Sequence, residues 1–305
     1  MPDEVIFIVG PTGVGKSETA VALAKRLDGE IISADSMQIY QGMNIGTAKP
    51  SAKLLKQIPH HLIDIIRPSQ SFSVFQFYKL AVKHIRQIIR RGRQPLVVGG
   101  TGFYVRSLIE GLSSGVAADH RFRKKMEMLA LEHGPEYLFQ ELLKKDPERA
   151  EIINIQDQKR IIRALEIIEA SGKPASECRQ DCKSLSELGY KVRIFGLSRS
   201  REVLYTNIEK RVEDMFDSGL VKEAENLLKN RRSKTSMHAV GYKEIWECLK
   251  NGISPSTAKE EIKRNTRRYA KRQLTWFKRE RGIEWVSLDG ARTSDECAEI
   301  ILRLR

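Results

Sequence analysis

Eight residues near the start of the chain have the types and the spacing that hold a polyphosphate. Gly10-Pro11-Thr12-Gly13-Val14-Gly15-Lys16-Ser17 fits the pattern G-x-x-x-x-G-K-[ST] in full. Its glycines let backbone N–H groups wrap phosphate oxygens, and a helix N-terminus adds positive potential. Lys16 can neutralise those oxygens, and the Ser17 hydroxyl can ligate Mg²⁺. The motif leaves open which phosphate compound binds, an ATP-type nucleotide included. Hydrolysis of a nucleoside triphosphate ordinarily needs a second acid ending an apolar strand. The apolar run Leu96-Val97-Val98 ends in Gly99-Gly100-Thr101 instead. Asp35 ends another run and leads into Ser36-Met37-Gln38, a polar cluster suited to recognition, while Asp64 reads as a substitute acid or a strand-end carboxylate. A pyrophosphate holder with one placed Asp and one placed Thr suits group transfer with pyrophosphate leaving.

The elements that must position these residues alternate. Val5–Val9 is a β-branched run ending at Gly10, and an apolar-periodic segment from Ser17 to Leu27 follows, the order strand, glycine loop, helix. Glu30–Asp35 reads as a second strand, Phe75–Arg91 as a helix, and Pro95–Val98 as a third strand before the glycine turn. This alternation implies an α/β fold, a P-loop-type parallel sheet flanked by helices, with sites at the carboxyl ends of its strands. The pattern changes near Ser113-Ser114-Gly115. From Asp119 to Ala170 only helical periodicity is present, and Lys191–Leu197 restores a strand. The expected organisation is a core of residues 1–114 and 191–305, interrupted by an all-helical insertion domain of residues 115–190. Helices over Arg201–Ser218, Leu220–Lys229, Tyr242–Lys250 and Pro255–Glu280, a strand Ile283–Leu288 and a terminal helix complete the core.

Composition excludes several classes. At 305 residues the chain is long enough for two domains. No apolar run reaches the ~20 residues that span a bilayer. The start, with Asp3 and Glu4 before a five-residue apolar run, lacks the basic beginning and long core of a signal peptide. The four cysteines have no zinc spacing and suit reduced thiols. A cytoplasmic protein with no membrane contact is expected. The net charge of +14 points to a polyanionic partner, and half of it lies in one segment. Lys259–Arg281 has ten Lys/Arg against three Glu, a net +7. On a helical wheel Ile262, Tyr269, Ala270, Trp276 and Phe277 share a face, with Gln273 intruding on it, and most of the cations lie opposite. Such a helix fits a membrane surface or nucleic acid; an aromatic face packed on the sheet would leave the cations for RNA.

At these residues the chain resembles the tRNA dimethylallyltransferases, also called tRNA isopentenyltransferases. The resemblance is carried by the phosphate loop and by Asp35-Ser36-Met37-Gln38-Ile39-Tyr40, Gly46-Thr47-Ala48-Lys49-Pro50, Pro59-His60-His61-Leu62-Ile63-Asp64 and Gly99-Gly100-Thr101-Gly102-Phe103-Tyr104. It continues through Arg160-Ile161-Ile162-Arg163-Ala164-Leu165-Glu166, Val240-Gly241-Tyr242-Lys243-Glu244 and Arg268–Phe277, and so covers nearly the whole chain. Where the family has His-Pro-Asn-Asp before its Arg-Ala-Leu-Glu helix, this chain has Asn154-Ile155-Gln156-Asp157, so only Asp157 carries over. The zinc-finger tail of eukaryotic members does not appear, so the resemblance is to the bacterial type.

The resemblance implies an enzyme that moves a dimethylallyl group from its diphosphate to the exocyclic amine of the adenosine 3′ of a tRNA anticodon. It implies Asp35 as general base, Thr101 as a second orienting contact, Lys16 and the loop Gly10–Ser17 on the diphosphate, and Mg²⁺ on Ser17. Arg211 would be a further diphosphate cation. The acceptor base must leave its stem-loop to react. Asp35, Ser36, Met37, Gln38 and Thr101 would read it. Arg123, Gln158, Lys159, Arg160, Ile161 and Arg163 of the insertion would contact the anticodon stem-loop, with Gly241, Tyr242, Lys243, Arg268, Lys271 and Arg272 adding to the RNA surface. Monomeric action is expected. Two other classes fit parts of the sequence. Prenylation of free adenine nucleotides would need neither the insertion nor the basic helix, and a P-loop small-molecule kinase, or an RNA-binding module with a nucleotide switch, lacks its second acid.

Overall fold

Val5–Val9 has no polar face, the pattern of a strand covered on both sides. In the computed structural model, which describes residues 3–112, 118–178, 182–229, 232–233, 235–291 and 293–304, this run is the centre of β1 (Glu4–Val9), and all five residues are fully buried. The chain continues through α1 (Lys16–Arg26), β2 (Gly29–Ser33), α2 (Ala52–Gln57), β3 (His60–His61), α3 (Val74–Arg90), β4 (Gln94–Gly99) and α4 (Gly102–Glu110). Four helices follow: α5 (His120–His133), α6 (Pro135–Lys145), α7 (Pro147–Glu151) and α8 (Gln158–Ser171). Then come β5 (Lys191–Ser198), α9 (Arg201–Asp217), α10 (Leu220–Leu228), α11 (Tyr242–Lys250), α12 (Ala258–Phe277), β6 (Ile283–Ser287) and α13 (Ser294–Leu304).

The six strands form one parallel sheet in the order β3-β2-β4-β1-β5-β6. From β1 the chain passes over β4 to reach β2, and from β4 it returns to the other side of β1. The crevice at the carboxyl ends of β1 and β4 is therefore the place where connections diverge and ligands bind in open α/β sheets. Val9 pairs with Gly99 in that register, so the two glycine turns emerge side by side. A Cβ on Gly99 would collide with the Ala34 backbone, which is why β4 ends in glycine where β2 runs past it.

The chain divides into two compact units, Met1–Glu110 with Ser184–Arg305, and Gly111–Lys183. The expected break at Ser113–Gly115 lies outside the described residues. The second unit is all-helical and packs Leu138, Leu142, Ile161, Ile162 and Leu165 into its own core. At its centre the buried Glu166 accepts from Arg123 (2.7 and 2.8 Å), from Arg163 and from the Asp119 N–H (2.6 Å). Burial opposes the ionised form of Glu166, but the two guanidinium groups outweigh it and hold its carboxyl below the usual range.

Several boundaries differ from the sequence reading, among them the far end of the insertion, which falls at Lys183 where residue 190 is expected. The second strand stops at Ser33, because the Asp35 carboxylate draws the Met37 and Gln38 N–H groups into a turn. The basic segment opens with a 3-10 turn at Pro255–Thr257 before α12 begins. The short α2 and the two-residue β3 are below the length at which periodicity can be read, and α4 follows the Gly99–Thr101 turn directly. Among the described residues no helix is long and apolar enough to cross a membrane.

Breaking a buried ion pair by removing one partner costs about 3–5 kcal/mol. Glu166→Ala should therefore unfold the Gly111–Lys183 unit, raising its amide hydrogen exchange while β1 and β4 stay protected. Unchanged protection of α5 and α8 would contradict the role given to this carboxylate.

Candidate active site

The loop between β1 and α1 is held from outside, which leaves its N–H groups turned to a cavity. The Asn207 side chain donates to the Gly13 carbonyl (3.1 Å), and Arg199 donates to the Val14 carbonyl (3.2 Å). Arg211 donates to the Thr12 hydroxyl (3.2 Å). Gly15 takes a left-handed conformation (φ 102°) at the N-cap of α1. The N–H groups of Gly13, Val14 and Gly15 have no hydrogen-bond acceptor among the described residues. Three free donors at a helix N-terminus form an anion cradle.

Gln273, on α12, closes this cradle against the neighbouring turn. Its Oε1 accepts the Thr12 N–H (2.9 Å), and its Nε2 donates to the Gly100 carbonyl (3.0 Å). The residue is buried, and a Cβ on Gly100 would occupy the space its amide fills. The intruder on the apolar face of α12 is thus a hydrogen-bonded brace.

Asp35 faces the cradle from the end of β2. Its Oδ1 accepts the Met37 and Gln38 N–H groups (2.8 and 3.3 Å), and its Oδ2 has no partner among the described residues. Thr101 Oγ1 accepts the Ser36 N–H (3.0 Å) and donates to the Ser36 hydroxyl (3.4 Å), so Thr101 fixes the Asp35 turn from behind. Gln38 spans Ser33 and the Ala48 carbonyl. The cavity these residues share has a volume of about 320 Å³. Thr12, Gly13, Gly15, Lys16, Ser17 and Arg211 line one part, and Asp35, Ser36, Met37 and Gln38 another. Val212, Met215, Val240 and Ile262 supply apolar wall. Lys16 donates to the Pro11 carbonyl (2.7 Å). Burial first, and then the charge of Arg211, lower its pKa to about 8 against the opposite pull of Asp35 and Glu18.

A second anchor shapes the wall opposite. Glu223, on α10, accepts the N–H groups of Asn44, Ile45 and Gly46 (2.9–3.3 Å) and the Tyr242 hydroxyl (2.5 Å). Lys49 donates to the Tyr40 carbonyl and to Asn44 (2.9 Å), and is paired with Asp64. Gly46, Thr47 and Ala48, held by these contacts, line the cavity. Asp64 is thus spent on Lys49.

The structure moves Ile161 and the Tyr242 side chain from the RNA surface expected of them. Ile161 is fully buried in the core of the helical unit, because α8 turns that face inward. Tyr242 is fully buried and holds Glu223 and the Gly46 N–H, so its side chain presents nothing to an external partner. Arg123 and Arg163 pair with Glu166 and keep 35% and 34% of their side chains exposed. Thr101 stands beside the Asp35 turn, with its hydroxyl bonded to Ser36. Gly241 lines the cavity, as does Arg272, which is also exposed. Gln158 is half-buried, Lys159 is exposed, and Arg160 is exposed beside Asp157 (3.2 Å), which caps α8. Lys243 is exposed and pairs with Glu247. Along α12, Lys259, Lys263, Arg264 and Arg267 are tied to Glu213, Glu260, Glu261 and Glu209, whereas Arg268 and Lys271 are exposed and have no ion pair among the described residues. Local pattern could not have revealed Glu223, Asn207 or Arg199, because each acts on a segment more than 150 residues away.

Comparison with known proteins agrees with this architecture. The family model described as IPP transferase matches residues 38–280. The chain is 46% identical over 290 residues to tRNA dimethylallyltransferase 2 of Geotalea daltonii, covering 94% of this chain and 89% of that one. It is 46% identical over 297 residues to a tRNA dimethylallyltransferase of Bacillus anthracis, covering 96% and 94%. Among solved structures, the full-length tRNA isopentenylpyrophosphate transferase of Bacillus halodurans superposes with a TM-score of 0.72 at 41% identity, over 99% of this chain and 95% of that one. A eukaryotic dimethylallyltransferase acting on tRNA gives a TM-score of 0.82 at 28% identity, over 98% of this chain and 77% of that one. The chain belongs to the IPP transferase family, and its fold is that of the P-loop proteins.

Replacing Gln273 with Leu leaves a buried N–H and a buried carbonyl unpaired, at about 1–3 kcal/mol each. Gln273→Leu should lower the melting temperature and weaken inorganic diphosphate binding by tenfold or more. A variant that melts lower but binds diphosphate as tightly as wild type would deny that the brace shapes the cradle.

Proposed function

We propose that this member of the IPP transferase family transfers a dimethylallyl group from dimethylallyl diphosphate to the N6 amine of the adenosine 3′ of a tRNA anticodon, releasing diphosphate. The observation that carries the reading is one cavity with an anion cradle at one part of its wall and a carboxylate with a free oxygen at another. A kinase ordinarily ends an apolar strand in a second acid, and here β4 ends in Gly99, followed by Gly100 and Thr101.

The amine of adenine is a weak nucleophile because its lone pair is delocalised into the ring. Asp35 Oδ2 accepts its proton as nitrogen attacks the allylic carbon and the carbon–oxygen bond to diphosphate breaks; a positioned base contributes about 10²–10⁴-fold. The free N–H groups of the loop, Lys16 and Arg211 receive the charge growing on the leaving diphosphate. Ser36, Met37 and Gln38 contact the flipped base, and Thr101 acts through the turn it braces. The apolar wall takes the prenyl chain and keeps water from the allylic carbon. Among the described residues no cluster of three or more His, Cys, Asp or Glu could hold a metal. The Ser17 hydroxyl, on the cavity wall beside Lys16, would hold a Mg²⁺ ion. When bound it would neutralise diphosphate oxygens. Lys159, Arg160, Arg268 and Lys271 are the exposed cations we assign to the RNA backbone. One chain lines the whole cavity, so we take the enzyme to act as a monomer, in the cytoplasm where its acceptor is.

Asp35→Asn should lower kcat for transfer of the labelled prenyl group to tRNA by about 10²–10⁴-fold with the tRNA Kd unchanged. Wild-type turnover in that variant would remove Asp35 as base, and preferential use of AMP over tRNA in competition would shift the acceptor to free nucleotides. Lys16 is a cation below about pH 8 and loses its charge above it. The kcat/KM for the donor should therefore fall as pH rises through 8, and Lys16→Gln should be slower throughout and lack that descent. A descent of equal size in Lys16→Gln would assign it to another group.

A further inference from the structure

Four cations on α3 have no part in the site described above. Lys79, Lys83, Arg86 and Arg90 recur at i, i+4, i+7 and i+11, the spacing of one helix face, and all four are exposed. They climb the helix in steps of about 6, 4.5 and 6 Å at 1.5 Å per residue. None has an ion pair among the described residues, and α3 contains no acidic residue between Val74 and Arg90. The nearby Arg91 and Arg93 differ, since both are drawn to the buried Glu30. Like charges at this spacing weaken a helix, and nothing on α3 relieves them. A polyanion along the stripe would.

The chemistry of the face selects among polyanions. A helix that binds a bilayer surface keeps an apolar face for the lipid. On α3 that face is used by the core, where Phe77, Ala81, Ile85 and Ile88 are buried. A protein interface centres on aromatic or apolar anchors, and the stripe presents none; the one aromatic beside it, Phe75, is covered by the Lys79 ammonium at 4.4 Å from the ring centroid. What remains is a row of cations matched to a row of phosphates. α4 packs against both α3 and α12, so the stripe sits in the same unit as the basic end of α12 and one helix away from it.

We propose that the Lys79–Arg90 face of α3 is a second RNA-backbone surface, which takes phosphates of the acceptor RNA beyond the loop that delivers the reacting base. The inference rests on RNA being the acceptor. Binding there is independent of base sequence and is driven by counterion release, so its signature is a salt dependence. The test compares wild type with the fourfold variant K79Q/K83Q/R86Q/R90Q, measuring Kd for unmodified full-length tRNA and for an isolated anticodon stem-loop over a salt series. For full-length tRNA the variant should bind about tenfold or more weakly near 0.15 M salt, and its slope of log affinity against log salt should be shallower by roughly 3 to 4 for four phosphates. The stem-loop should lose less, the donor KM should match wild type, and the melting temperature should be no lower than that of wild type, since the like charges on α3 are removed. Single Gln substitutions at the four positions should each carry a share of the slope change, which keeps the test valid if the fourfold variant folds poorly. Equal affinity and slope in wild type and variants would overturn the proposal, as would a loss confined to vesicles of anionic lipid. If wild type itself binds no tRNA, the RNA reading fails along with it.

Discussion

The primary amide of Gln273 joins three segments that the chain keeps far apart. It accepts from Thr12 on the phosphate loop and donates to Gly100 on the turn after β4, while its own helix contributes the basic surface. In a buried setting an unpaired amide group is costly, so each bond constrains the others: the cradle cannot shift without orphaning Gly100, and α12 cannot rotate without orphaning Thr12. The absence of a side chain at Gly100 belongs to the same constraint. Thr101, the next residue, then reaches Ser36 and fixes the turn that carries Asp35. The relation between cradle and carboxylate is thereby set by two side chains, the Gln273 amide and the Thr101 hydroxyl, each bonded to backbone groups.

The positive excess separates into groups with different work. Lys16, Arg211 and Arg272 line the cavity. Arg123 and Arg163 neutralise a buried carboxylate and hold the helical unit together. The first half of α12 is largely compensated by glutamates, its second half is not, and α3 is not. Counting charge along the sequence overstates what is free to meet RNA, because a helix cation three residues from a glutamate, or packed against one on α9, is already partnered.

Much of this was legible in the sequence, and the reason is locality. The phosphate loop, the alternation of strand and helix, the helical insertion and the amphipathic α12 are each encoded within a dozen or two consecutive residues. Where reading failed, the determinant was distant. Tyr242 lies in a recognisable block, but its partner Glu223 and the Gly46 N–H are met only in three dimensions. Ile161 sits among Arg160 and Arg163 in sequence, yet the helical phase sends it to the core and them to the rim. The glycine turn after β4 marks Thr101 in the sequence, and the fold adds its contact with Ser36.

The central claim is that one cavity aligns an allylic diphosphate with an extruded adenine so that carbon, not phosphorus, is transferred. Nucleoside mass analysis of unmodified tRNA after incubation with dimethylallyl diphosphate and Mg²⁺, with the modified position mapped, tests it most directly. The account predicts prenylated adenosine at the position 3′ of the anticodon, with diphosphate released in equal amount. A folded enzyme that leaves such tRNA unmodified, or that yields a phosphorylated product in the presence of ATP, would contradict it.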